Sequence, residues 1–255
     1  MTSWRSLYLP FADKNAITTA IDAALIALGY QRYDPFGIVP GKAYPQAVRL
    51  FLAPERGGWT RLIGESDAAL LPELSRLAPV LSIELDDTKA HISAYADGAA
   101  SALETAFVRS ARTPDCLAFA LEQTGSSGSA ALGGVALDAL PGDVQALAQN
   151  IDLKQANSMF ARLSGSLAPK SGGAPSDLLQ QPHWNSAGGA QITALMDCLG
   201  VPDWRDPDFV TLRDAYALHE RRRRSPNARL YPGDAETLAA VPNAFDYTPI
   251  YAGKT

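Results

Sequence analysis

The sequence predicts an α+β fold: a largely antiparallel sheet of two hairpins with two covering helices, followed by a mostly helical C-terminal region and an extended Pro/Tyr-rich tail. Three observations lead there. Two pairs of alternating segments each close on a short polar turn, and two apolar stripes at helical spacing interrupt them. Beyond Gly98 the alternation gives way to helical periodicity. Helices segregated from a self-pairing antiparallel sheet are the economical packing for this order.

Each element has a local reason. Arg5 to Leu9 alternates as a strand, with Leu7 and Leu9 on one side. Asp13 is a side-chain acceptor suited to cap a helix, and Ile17, Ala20, Ile21, Ala24, Leu25 and Leu28 recur on one face before Gly29 ends the run. A short strand over Tyr30 to Tyr33 leads into a Pro/Gly-rich loop from Asp34 to Pro45. Ala47 to Ala53 and Trp59 to Glu65 form the first hairpin. A five-residue loop from Pro54 to Gly58 places Leu52 opposite Thr60, Leu50 opposite Leu62 and Val48 opposite Gly64. The other face carries Phe51, Trp59 and Ile63 between Arg49 and Arg61, too apolar to lie in water uncovered.

Ser66 is placed to cap a second helix with Leu70, Leu71, Leu74 and Leu77 as its stripe, closed by Pro79. The second hairpin runs from Val80 to Leu85 and Ala90 to Ala96. Its loop, Asp86 to Lys89, sets Leu85 opposite Ala90, Ile83 opposite Ile92 and Leu81 opposite Ala94, an apolar face that fixes the register. Helices are then expected over residues 99–108, 115–123, 142–149, 152–163, 191–199 and 207–221. Gly/Ser-rich residues 125–134 read as a linker between a sheet-and-helix unit, 1–124, and a helical unit, 135–255. A second Gly/Ser/Pro break spans 170–176. The last thirty residues, with four prolines, read as an irregular strap pinned by Tyr231, Phe245, Tyr247 and Tyr251.

Composition narrows the function classes. A formal charge of -5 argues against a nucleic-acid partner. The longest apolar run, Ala23 to Leu28, is too short to span a bilayer, and the N-terminus lacks a signal-peptide layout. With Cys116 and Cys198 the only cysteines, the composition fits thiols in a reducing compartment and a cytoplasmic protein, although a disulfide between them stays open. No phosphate loop, dinucleotide fingerprint or nucleophile elbow is present, and no cofactor is expected. His91, His183 and His219 have no metal-ligand spacing, so no metal is expected.

Three places could carry chemistry. Glu84 and His91 are cross-strand neighbours in the second hairpin, and a carboxylate can orient an imidazole; an ordinary polar sheet face explains them as well. His183, Trp184 and Asn185 precede Gly188-Gly189 and a helix, where a ligand could be held by stacking and backbone N–H groups; turn capping and core packing are the alternative. Arg221, Arg222, Arg223 and Arg224 could grip an anion or partner, or simply close a helix whose C-terminal dipole favours cations. Two functions follow. The preferred one is a non-catalytic binding protein acting through a protein or small-molecule partner. The rival is a hydrolase or transferase whose site is assembled from Glu84, His91 and His183.

Overall fold

The computed structural model describes residues 4–37, 44–112, 116–117, 184–227 and 229–254. All of them belong to one compact unit, made of residues 1–123 with 182–255. The linker at 125–134, the break at 170–176, the helices expected over 142–149 and 152–163, most of that over 115–123, and His183 lie outside the described residues.

The fold is α+β. Eight strands form one sheet, every neighbouring pair antiparallel: β1 (Trp4–Leu9), β2 (Gln31–Arg32), β3 (Gln46–Leu52), β4 (Thr60–Glu65), β5 (Val80–Asp86), β6 (Lys89–Ala96), β7 (Ala99–Ser101) and β8 (Thr248–Lys254). Their spatial order is β2-β8-β3-β4-β1-β5-β6-β7. The described helices are α1 (Lys14–Ala27), α2 (Leu70–Ser75), α3 (Leu103–Phe107), α4 (Ala187–Leu199), α5 (Phe209–Arg224) and α6 (Asp234–Ala240), with a 3-10 turn at Ala244–Asp246. None of them is long and apolar enough to cross a membrane.

Helix α1 forms as its sequence dictates. Asp13 accepts from the N–H groups of Asn15 and Ala16, and Ile17, Ile21, Ala24 and Leu25 are buried. The second hairpin has the expected register from Val80↔Tyr95 to Leu85↔Ala90, and the ladder continues to Asp86↔Lys89. Only Asp87 and Thr88 remain in its turn, with Asp87 at φ 52°.

The first hairpin pairs two residues out of the expected register: Leu52 faces Leu62 and Leu50 faces Gly64. The chain pairs beyond Ala53, whose N–H donates to Arg61 O, and turns at Gly57-Gly58 between the bridged Arg56 and Trp59. Pro54, which has no N–H, sits in the resulting bulge. Because the slip is even, no side chain changes face.

Three other expectations are corrected. Helix α2 begins at Leu70 rather than at a Ser66 cap; its approach is shaped by Asp67, which accepts from Ala69 N and from the Tyr30 hydroxyl at 2.6 Å. Residues 99–101 are strand, not helix, because Asp97 (φ 51°) and Gly98 (φ 84°) turn the chain back onto β6 before α3 starts. The C-terminal strap is not irregular throughout. It forms α6, the 3-10 turn and then β8, which slots between β2 and β3 from Gln46↔Lys254 to Leu52↔Thr248. Pro249 is tolerated there near the strand start.

Both sheet faces are covered. On one, Leu7, Leu9, Val48, Leu50, Leu62 and Ile250 pack under α1 and α2. On the other, two clusters lie side by side. Trp4, Tyr8, Leu81, Ile83 and Leu85 meet Phe107 of α3 and Ile192, Leu195, Met196 and Leu199 of α4. Phe51, Ile63 and Tyr251 meet Phe209, Leu212, Ala215 and Tyr216 of α5, with Val241 and Tyr247 beyond α6. Helix α5 therefore supplies the cover that the apolar second face of the first hairpin required.

Cys116 and Cys198 are disulfide-bonded, Cα atoms 5.7 Å apart, where composition suggested a pair of thiols. Cys198 lies on the buried side of α4, and the fold brings Cys116 to it across 82 residues of sequence.

Candidate functional site

The second sheet face has a seam. Helices α3 and α4 cover one cluster and α5 the other, and residues 201–208 cross between them. Under this crossing lies a cleft of about 750 Å³, within the size range of small-molecule sites. Its floor includes Tyr8 of β1 and Arg61 and Ile63 of β4; Trp59, Val201 and Val241 add apolar wall, and Thr211 and Asn243 add polar groups.

Side chains of β1 and β4 hold the crossing segment by its carbonyls. The Tyr8 hydroxyl donates to Trp204 O, and Trp4 Nε1 donates to Arg205 O at 3.2 Å. Arg61 donates from Nη2 to Arg205 O and from Nη1 to Asp206 O, both at 3.1 Å, and from Nε to Ser6 Oγ at 3.0 Å. At the other end Asp208 caps α5, accepting from Thr211 N and Oγ1, and Arg56 pairs with Asp203.

Arg61 is 6% exposed, and all three described acceptors are neutral. No carboxylate forms an ion pair with it among the described residues. Ring faces add compensation, Trp4 at 5.3 Å and Tyr8 at 5.9 Å. A guanidinium is a cation, so the floor of the cleft carries a positive charge.

Burial pushes the Tyr8 phenol up to about 12, the Arg61 charge opposing only part of it. Its proton is thus held more tightly folded than unfolded. The stability this contributes is fully present below pH 10 and is lost as pH rises towards 12. Alkaline unfolding followed by circular dichroism should show that loss; because the Tyr30, Tyr216, Tyr247 and Tyr251 phenols are also raised, Tyr8→Phe should reduce the slope without abolishing it, at a lower starting stability.

The residues singled out in the sequence lie mostly elsewhere. Glu84 and His91 are cross-strand partners, but Glu84 forms an ion pair with Arg5 on β1, His91 is exposed, and neither lines the cleft. Trp184 is half-buried, edge-on to Trp4 at 5.0 Å and to Trp204 at 5.3 Å, with Arg205 over its face at 4.5 Å; it therefore backs the cleft. Asn185 is exposed.

The glycines after it serve packing. A Cβ on Gly188 would stand 2.5 Å from Thr88 O, and one on Gly189 would stand 2.2 Å from Trp184 O. Their N–H groups donate to Thr88 O and Ser186 Oγ, not outward to an anion. Arg221 binds Asp234 and Arg229 O, Arg223 binds Glu220, and Arg224 binds Phe36 O; Arg222 is exposed. Arg221 and Arg224 therefore fasten the end of α5 to other segments, while Arg223 pairs within the helix and lies 5.5 Å from the Phe245 ring.

Sequence reasoning passed over Arg61 because an arginine on a strand reads as a solvated residue. The available signal was its position beside Ile63 and Trp59 on a face that needed cover. Among the described residues no three His, Cys, Asp or Glu side chains gather as a metal site. No family model, curated protein or solved structure matches this chain.

Proposed function

We propose that the protein is a non-catalytic binding protein that takes a small molecule into the cleft beneath residues 201–208. The observation that carries this reading is the cleft itself, about 750 Å³ with mixed apolar and polar walls and a buried arginine on its floor. Against the rival hydrolase or transferase stand the commitment of Glu84 to Arg5 and the exposure of His91, neither of which lines the cleft. A second part of the reading concerns location. A Cys116–Cys198 bond persists where thiols are not kept reduced, which favours an oxidising compartment over the cytoplasm that composition suggested.

Ala240 is exposed at the end of α6 and lines the cleft, so Ala240→Trp should fill its mouth without disturbing the core. In a thermal-shift screen of small organic compounds, ligands that stabilise the wild type should lose at least about tenfold in affinity against this variant. A screen without stabilising compounds, or hits bound equally by both proteins, overturns the reading.

A further inference from the structure

We infer that the cleft takes an organic monoanion, a carboxylate on an apolar body, with Arg61 as its counter-ion; this rests on the small-molecule reading above. A guanidinium has five N–H groups, and among the described residues Arg61 uses three of them, on Ser6, Arg205 and Asp206. Two remain, on a group that lines the cleft and is buried. Taking an ion out of water is costly unless an opposite charge compensates it, and the described residues form no ion pair with Arg61. The planar fork of a guanidinium matches a carboxylate, and charge-assisted bonds of this kind are the strong ones.

The charge around Arg61 sets the valence of the ligand. Arg56, Arg61 and Arg205 line the cleft, and so do Asp203, Asp206 and Asp208, three of each sign. Asp203 is paired with Arg56, Asp208 is turned to the start of α5, and Asp206 is exposed. The lining is neutral in sum, and of its three cations Arg56 and Arg205 are exposed to water while Arg61 alone is buried. Such a site suits one negative charge and disfavours a dianion such as phosphate. The remaining wall is apolar where the two clusters meet: Trp59 and Val201 from one, Ile63 and Val241 from the other. That surface suits an aryl or alkyl body several carbons long.

The test uses the unmodified protein and a panel of benzoate, 3-phenylpropionate and octanoate, each paired with its neutral amide, with inorganic phosphate alongside, read by calorimetry. At least one acid should bind at least about tenfold tighter than its amide. Arg61→Met should abolish that preference while Arg61→Lys keeps part of it, and Ala240→Trp should weaken acid and amide alike. The acid–amide comparison on the wild type stands even if an Arg61 variant fails to fold. Amides that bind as well as their acids overturn the anion assignment and leave the small-molecule reading intact. Binding of phosphate in preference to every acid also overturns it. If neither acids nor amides bind and the wider screen is empty, both readings fall together.

Discussion

Gly64→Val should be the most damaging single substitution among those considered, destabilising the protein by about 3 kcal/mol or more. Gly64 lies in β4, between β3 and β1, with φ at +127°, a region where a side chain strains the backbone. A Cβ there would stand 2.2 Å from Arg49 O and 2.6 Å from the Phe209 ring. The first is backbone of the neighbouring strand and cannot give way without breaking the ladder. The second belongs to the residue that starts α5, so relief would lift that helix from the sheet. At roughly 2–4 °C per kcal/mol for a chain of this size, the midpoint should fall by about 6–12 °C. Calorimetry checks this, and a fall under about 2 °C would show that β3 and α5 do not close over this position.

The second large effect concerns the disulfide. Cys116 and Cys198 close a loop of 82 residues of separation, and removing such a cross-link costs about 2–5 kcal/mol in the chain-entropy picture. Cys116→Ser with Cys198→Ser, or reduction of the wild type, should therefore lower the midpoint by roughly 4–20 °C. The bond joins the segment after α3 to α4, both over the Trp4 cluster, so loosening should begin there. Hydrogen exchange should speed up in α4 before it does in α1, which belongs to the opposite face. Thiols of the native, unreduced protein that react freely with iodoacetamide would show that the bond is not formed.

What could be read from the sequence divides by the range of the interaction. Asp13, the Ile17–Ile21–Ala24–Leu25 stripe and the Val80–Tyr95 hairpin are set by residues within one or two turns of each other, and they formed as read. The Leu52–Leu62 pairing missed by two residues, because the ladder continued around Pro54 to a tighter turn at Gly57-Gly58. Face assignment survived that slip, since side-chain alternation has period two.

The candidate site was hidden for a different reason. Glu84 and His91 were visible because they pair locally, and the structure then gave Glu84 to Arg5 on a strand the hairpin does not contain. Arg61 drew no notice as a cation beside apolar neighbours. It becomes a buried charge only when α4 and α5 pack on the same face and residues 201–208 close over it, some 140 residues away in sequence.

By itself, then, the sequence determined the α+β class, the capped first helix, the second hairpin and which residues share each strand face, all consequences of local periodicity and turn chemistry. Tertiary structure alone decided that the C-terminal segment joins the sheet as β8, that Cys116 meets Cys198, and that two helical covers leave a seam over Arg61. Those outcomes depend on pairings between distant segments, whose loop-closure entropy is offset only by the burial of the whole assembled face.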